Sequence, residues 1–249
     1  MKFRNLILAI ILFVSCDNDS VWDCIQLSGE QTSKVFSVEN FDKIVVNRDI
    51  NLIIRQGNDF NVEVYTGINL LDDINATVNN GELQLIDSNY CNFVRDYGET
   101  TFIVTAPDII QIRNNSQYKI ISEGILHYSD LTLISDDYNN SDNVAVGDFE
   151  LELNSSIIRV ISNKLSSFYL SGNVNEISIE FYSGFGRFEG ENLISNFVNI
   201  YHRGENDIIV NPQISLVGEL RSTGNLIATN TPDIVDVAEY YTGSLIFDD

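Results

Sequence analysis

The sequence predicts an all-β protein whose strands stack as a β-solenoid, and three observations support this. Apolar and polar residues alternate with a period of two in short segments, turn residues separate these segments, and glycines recur every twenty residues in the C-terminal half. No segment beyond the first fifteen residues combines a sustained 3.6-residue apolar period with helix caps. We therefore expect a single domain of strands over residues 35–249.

The predicted strands are of two kinds. Half-buried strands with strict alternation are expected at 62–64, 83–85, 131–133, 149–153, 177–179 and 198–200. Short continuous apolar runs rich in β-branched residues also predict strands, at 52–54, 157–158 and 208–210. Both kinds are too short for helices.

The spacing of turn residues predicts how the strands stack. Gly184, Gly204 and Gly224 each follow a strand and lie twenty residues apart, a period that indicates stacked units too small to fold alone. About twenty residues hold three short strands and three turns, which is one rung of a β-solenoid. Earlier in the chain, Ser116, Asp136 and Ser155 also follow predicted strands at spacings of 20 and 19, and the longer gap of 29 residues from Ser155 to Gly184 predicts one enlarged turn. A β-sandwich with accidental glycine spacing is the alternative.

The first sixteen residues resemble an export signal. Lys2 and Arg4 precede an apolar run over residues 6–14, too short to span a bilayer as a helix, and the run ends at Ser15 and Cys16. Residues 13–16 resemble the lipobox of bacterial lipoproteins, in which the cysteine is lipidated after cleavage. We expect a signal peptide at 1–15 and a lipidated tether at 16–34, with an ordinary signal peptide as the alternative.

The first residues of the tether indicate where in the cell the protein is located. Its acidic start, residues 17–20, resembles the surface-export signal of Bacteroidota lipoproteins. We expect an outer-membrane lipoprotein exposed on the cell surface, attached to the membrane through Cys16. An orientation towards the periplasm remains open.

The charge excludes one class of partner. The chain has 14 Lys and Arg against 36 Asp and Glu, a formal net charge of −22. Nucleic-acid binding requires clustered basic residues and is therefore not expected. A glycan or a surface protein remains as the expected partner.

The chain has three cysteines, so one remains unpaired if the other two form a disulfide. Lipidation would use Cys16, so Cys24 and Cys91 are free to form a disulfide in an oxidising compartment. Two buried thiols are the alternative.

Few residues suggest catalysis or metal binding. His127 and His202 lie in no catalytic or metal-binding motif, and nucleotide-binding glycine patterns are missing, so we expect no catalytic residue, no cofactor and no metal centre. The densest group of acids and aromatics is the one candidate for a ligand or calcium surface. It consists of Asp130, Asp136, Asp137, Tyr138 and Asp142. A solvated acidic face is the alternative.

Segments throughout the chain carry a family resemblance: 41–46, 50–57, 69–74, 81–83, 106–109, 222–226 and 243–247. They resemble the autotransporter adhesins with a head GIN domain, a group of Bacteroidota envelope proteins, over most of the mature chain. Cys24 and residues 89–97 resemble a lipoprotein subgroup that has both cysteines. The resemblance implies a right-handed parallel β-helix at the cell envelope.

The sequence thus predicts a non-enzymatic, envelope-anchored lipoprotein whose acidic solenoid binds a glycan or protein. A polysaccharide-active β-helix enzyme and a periplasmic structural lipoprotein are the alternatives. We expect the tether near Cys24 and the closing segment 245–247 to cap the two ends of the stack.

Overall fold

The computed structural model describes residues 24–89, 91–136 and 145–248, and their strands join in one sheet. The strands of the N-terminal half are β1 (Gln31–Phe36), β2 (Lys43–Val46), β3 (Ile50–Gln56), β4 (Asn61–Gly67), β5 (Ile74–Asn79), β6 (Glu82–Asp87), β7 (Thr100–Ala106), β8 (Gln111–Asn114), β9 (Ile120–Leu126) and β10 (Asp130–Ser135). Those of the C-terminal half are β11 (Phe149–Ser162), β12 (Ser167–Phe181), β13 (Arg187–His202), β14 (Ile208–Leu220), β15 (Leu226–Ala228), β16 (Ile234–Glu239) and β17 (Leu245–Phe247). A 3-10 turn, Leu71–Asp73, precedes β5. The all-β prediction is confirmed.

The C-terminal half stacks in chain order. Strands β11 to β14 pair in parallel, each with the next, and β14 then pairs with both β15 and β16. Phe149 pairs with Phe168, Phe168 with Phe188 and Phe188 with Ile208, so each step along the sheet advances the chain by about one predicted repeat.

The regularly spaced glycines lie in turns that stack on one another. The amide of Glu205 donates to the Gly184 carbonyl oxygen at 2.9 Å, and the amide of Gly224 donates to that of Gly204 at 3.3 Å. A side chain at Gly224 would lie 2.2 Å from the carbonyl oxygen of Asn206. The twenty-residue period therefore reflects close backbone packing between turns.

The enlarged turn lies elsewhere than predicted. Ser155 lies within β11, and the turn beneath Gly184 is formed around Lys164, whose carbonyl oxygen accepts the amide of Phe185 at 2.9 Å. The extra residues come earlier, because Asp130 of β10 pairs with Ile157 of β11. The prediction of an enlarged turn between 155 and 184 was wrong because no glycine marks the turn at Lys164.

The N-terminal half does not stack in chain order. Strands β2 and β3 pair in parallel with β6 and β7 on one side and with β8 and β9 on the other. The pair β6 and β7, which follows β2 and β3 in sequence, therefore lies at the outer end of the sheet. From β8 and β9 the sheet continues through β10 and β11.

Antiparallel strands cover this outer end. Strand β4 pairs antiparallel with β7, β1 pairs antiparallel with β4, and β5 pairs antiparallel with β6. The sequence pattern predicted only parallel neighbours. The difference has a physical basis, since an outermost parallel strand would otherwise leave a row of main-chain donors and acceptors unpaired.

Aromatic and aliphatic side chains fill the interior along the whole sheet, as the alternation predicted. The rings of Phe149 and Phe168 stack with centroids 4.8 Å apart, and Phe188 and Ile208 continue the buried column. Among the described residues, the structure contains no helix long and apolar enough to cross a membrane.

Candidate binding surfaces

The structure separates the described members of the predicted acidic surface. Asp130 begins β10 and is exposed, whereas Asp136 follows the last residue of the same strand and is buried. Six residues of extended chain span about 20 Å, so these two carboxylates cannot share a ligand ion. Asp137, Tyr138 and Asp142 lie outside the described residues.

Asp136 has a structural partner in Arg113 of β8. The two side chains form an ion pair and are 8% and 15% exposed, respectively. A buried carboxylate is stable in its charged form only when it is paired in this way. Asp136 therefore helps to hold β8 and β10 together.

The structure contains the Cys24–Cys91 disulfide, with Cα atoms 4.4 Å apart. It ties the start of the described chain to the loop between β6 and β7. The amide of Phe93 donates to the Cys24 carbonyl oxygen at 2.9 Å, and Arg95 donates to that of Cys91 at 2.8 Å. Cys16, the predicted lipidation site, lies outside the described residues.

A cavity of about 250 Å³ lies beside this loop. On its floor, the Thr100 hydroxyl donates to the buried carboxylate of Asp87 at 2.6 Å, and the Asn89 side chain donates to the same group at 2.8 Å. Asn89 Oδ1 and Glu99 Oε2 are buried there without a hydrogen-bond partner among the described residues. Arg48 and Arg95 line the cavity together with Asp49, Asp96 and Glu99. Ordered water suits such a polar cavity.

A larger groove of about 420 Å³ runs across the outer face of β9, β11, β12 and β13. Tyr169 lies at its centre and is 42% exposed. Its register partners on the two sides are Glu150 and Glu189, and Glu152 and Glu191 also line the groove. The groove therefore presents one aromatic ring among four carboxylates.

Irregular strand pairing shapes this groove. Opposite Glu150 and Glu152 of β11, strand β9 has extra residues that shift the register, and β13 has an extra residue opposite the stretch of β12 that follows Tyr169. Bulges of this kind turn side chains away from strict alternation. Two carboxylates have cationic partners, because Lys119 Nζ lies 3.3 Å from Glu150 and Arg187 forms an ion pair with Glu189.

The two histidines differ in burial and in their contacts. His127 is exposed, and His202 is fully buried at the end of β13, in register with Phe181 and Leu220. The Nδ1 atom of His202 accepts the Gly204 amide at 3.3 Å, and Nε2 lies 2.9 Å from the carbonyl oxygen of Asn206. Burial lowers the pKa of His202, which favours the neutral ring with its proton on Nε2.

No group of three or more His, Cys, Asp or Glu side chains among the described residues is arranged to hold a metal ion. Sequence reasoning missed the groove around Tyr169 because its residues are far apart in the chain. The alternation at 149–153 gave the only signal, since it placed Glu150 and Glu152 on an outer face.

Comparisons with known proteins agree with this fold. A crystal structure of a "putative adhesin" from Bacteroides fragilis aligns with a TM-score of 0.78 and 19% identity, covering 89% of this chain and 99% of that one. A "putative lipid binding protein" from Parabacteroides distasonis aligns with a TM-score of 0.60 at 13% identity, covering 89% and 98%. A "putative adhesin" from Parabacteroides merdae gives 0.59 at 14% identity, covering 89% and 97%. At these identities the likeness concerns the fold alone.

No curated protein matches the sequence significantly. A family model described as "Putative auto-transporter adhesin, head GIN domain" matches residues 40–232. Because this match spans well over half of the 249 residues, the chain belongs to the head GIN domain family of autotransporter adhesin-like proteins.

Proposed function

We propose that this protein is a non-enzymatic, envelope-anchored binding protein that holds a glycan-binding groove on a rigid β-solenoid. The groove around Tyr169 is the observation that carries the proposal. Tyrosine rings stack on the apolar faces of sugars, and carboxylates accept hydrogen bonds from sugar hydroxyls. Glu152 and Glu191 flank the ring as such acceptors.

Within residues 35–249, the solenoid is proposed as a right-handed parallel β-helix with about 20 residues per rung, and the antiparallel strands β4 and β5 cover one of its ends. The parallel pairs from β11 to β14, whose register advances by about one repeat at each step, support it. A continuous parallel sheet fixes the spacing of neighbouring strands at about 4.8 Å, so the groove is pre-formed. Pre-formed sites lose little conformational entropy on binding.

The anchor in this proposal is a lipid on Cys16. The signal-like residues 1–15 and the acidic residues 17–20 support it, as does membership of an adhesin-like family. Because β1 begins at Gln31, the proposed tether ends before that residue and not at residue 34. The lipid would hold the domain at the outer membrane with the groove facing the surroundings.

Glycan binding is tested with the mature protein on an array of neutral and amino-sugar oligosaccharides, followed by titration calorimetry with the best one. Tyr169→Ala should weaken binding about tenfold or more, because stacking is lost, while Tyr169→Phe should retain most of it. Tyr241→Ala is the matched control, since Tyr241 is exposed far from the groove.

Two results would contradict this proposal. Equal glycan binding by wild type and Tyr169→Ala would exclude the groove as the binding site, and release of reducing or unsaturated sugar ends during the incubation would reveal an enzyme.

Location is tested by protease digestion of intact cells, with a periplasmic protein as the control. Digestion supports surface display, and protection would assign the protein to the periplasm.

A further inference from the structure

The C-terminal end of the sheet leaves main-chain groups without partners. Strand β16 pairs only with β14, and β17 pairs only with β15, among the described residues. The amide of Tyr240 donates to the Leu220 carbonyl oxygen at 2.8 Å. Because amides alternate in direction along a strand, those of Val235, Val237 and Glu239 point away from β14, towards the uncovered side.

The interior is also uncovered at this end. Val235 pairs with the buried Leu216, and Phe247 pairs with the buried Ala228, so both belong to the last inward-facing layer. Each of the two side chains is nevertheless 41% exposed. A further strand would cover this apolar layer and satisfy the free amides together.

Negative charge predominates at this end, where Arg221 is ion-paired with Glu219 and lies over the ring of Tyr240. Residues 222–248 contain no Lys, Arg or His, and their acids are Asp233, Asp236, Glu239 and Asp248. One of these acids links the two edge strands, since the Glu239 carboxylate accepts a hydrogen bond from the Leu245 amide at 2.7 Å. An incoming strand therefore meets acids beside open main-chain groups.

We propose that the edge formed by β16 and β17 binds an extended, basic segment of a partner polypeptide, which adds as a further strand. Lysine or arginine side chains of that segment would lie opposite Asp236 and its acidic neighbours. Its apolar side chains would cover Val235 and Phe247.

Charge disfavours the other occupants. A second copy would bring like charges together across the edge, and each copy carries a net charge of −22. The segments 17–23 and 137–144 of the chain itself contain acids and no Lys or Arg. A basic partner is therefore the occupant that the charges favour.

The test uses the mature protein and a labelled seven-residue peptide of alternating lysine and valine. Fluorescence anisotropy should detect binding, and hydrogen exchange should show protection of the amides of Val235, Val237 and Glu239. A lysine–proline peptide of equal charge is the control, since its proline residues donate no main-chain hydrogen bond and fit poorly into a β-ladder. It should bind at least about tenfold more weakly.

The matched variant is Val237→Pro. It removes an outward amide, keeps the bonds from β16 to β14, and retains an apolar side chain. Peptide affinity should fall about tenfold. Asp236→Asn should weaken binding less, and Asp72→Asn, which removes an exposed acid at the opposite end of the sheet, should leave it unchanged.

Three outcomes would overturn the proposal. The lysine–proline peptide could bind as tightly as the lysine–valine peptide, which would reduce the interaction to charge alone. The three amides could stay unprotected in wild-type protein with peptide, a result that decides the matter even if Val237→Pro does not fold. Concentration-dependent protection of these amides without peptide would instead assign the edge to a second copy.

Discussion

Both halves of the sheet contain parallel strand pairs, but they differ in how the outermost strands are covered. In the N-terminal half the chain places β6 and β7 outside β2 and β3 and then covers them with the antiparallel strands β4 and β5. In the C-terminal half the strands add outwards from β11, and no strand among the described residues covers β16 and β17. A simple repeat can extend a stack, but closing an end requires a departure from the repeat.

The first experiment asks whether the halves unfold independently, because each stacked unit contacts only its neighbours. Replacing Cys24 and Cys91 by serine opens a 67-residue span and should lower the free energy of unfolding by up to about 4 kcal/mol. Hydrogen exchange should accelerate in β6 and β7 and change little in β12 and β13. Equal acceleration in both halves would contradict independence, and Cys16→Ser serves as the control.

The second experiment tests the ion pair near the junction between the halves. Asp136→Asn leaves Arg113 buried without its countercharge and should cost about 3 kcal/mol in urea unfolding. Asp130→Asn changes an exposed acid on the same strand and should cost less than about 0.5 kcal/mol. Similar effects of the two variants would refute the structural role of Asp136.

The third experiment compares one glycine from each half. Gly172 and Gly124 have φ angles of +106° and +83°, so alanine is strained at both. At Gly172 its Cβ would also lie 2.0 Å from the Leu153 carbonyl oxygen, whereas at Gly124 nothing lies within 4 Å. We expect Gly172→Ala to cost about 3 kcal/mol and Gly124→Ala about 1 kcal/mol by thermal unfolding. Equal costs would show that strand spacing in β11 and β12 is not tightly fixed.

The smallest effect concerns pH. Burial lowers the pKa of His202 below its ordinary value of 6.5. As the pH falls, this imidazole is therefore protonated in the unfolded chain before it is protonated in the folded protein, which favours unfolding. Stability should therefore be complete above about pH 6.5 and should fall as the pH drops below it.

His202→Gln tests this contribution. It should cost about 1 kcal/mol at pH 8, through lost buried hydrogen bonds, and should flatten the acid-side slope relative to wild type. His127→Gln, at an exposed site, should keep the wild-type slope. An unchanged slope in His202→Gln would assign the acid sensitivity to other groups.

Local patterns predicted much of the fold. Alternation located strands at 62–64, 83–85 and 177–179, and the spacing of Gly184, Gly204 and Gly224 predicted turns that stack. The order of strands in the N-terminal half was not predictable, because nothing local distinguishes β6 from a strand that pairs with the next one along the chain. The groove around Tyr169 escaped prediction for the same reason, since it joins residues from four strands.

The sequence by itself determined the strand content, the repeat of the C-terminal half and the net negative charge, because these depend on residue type and spacing along the chain. Only the tertiary structure decided which strands became neighbours, that Asp136 is buried against Arg113, and that His202 lies in the interior. Those outcomes depend on contacts between residues distant in sequence, and the physical requirement to cover a sheet edge can be met by any segment that reaches it.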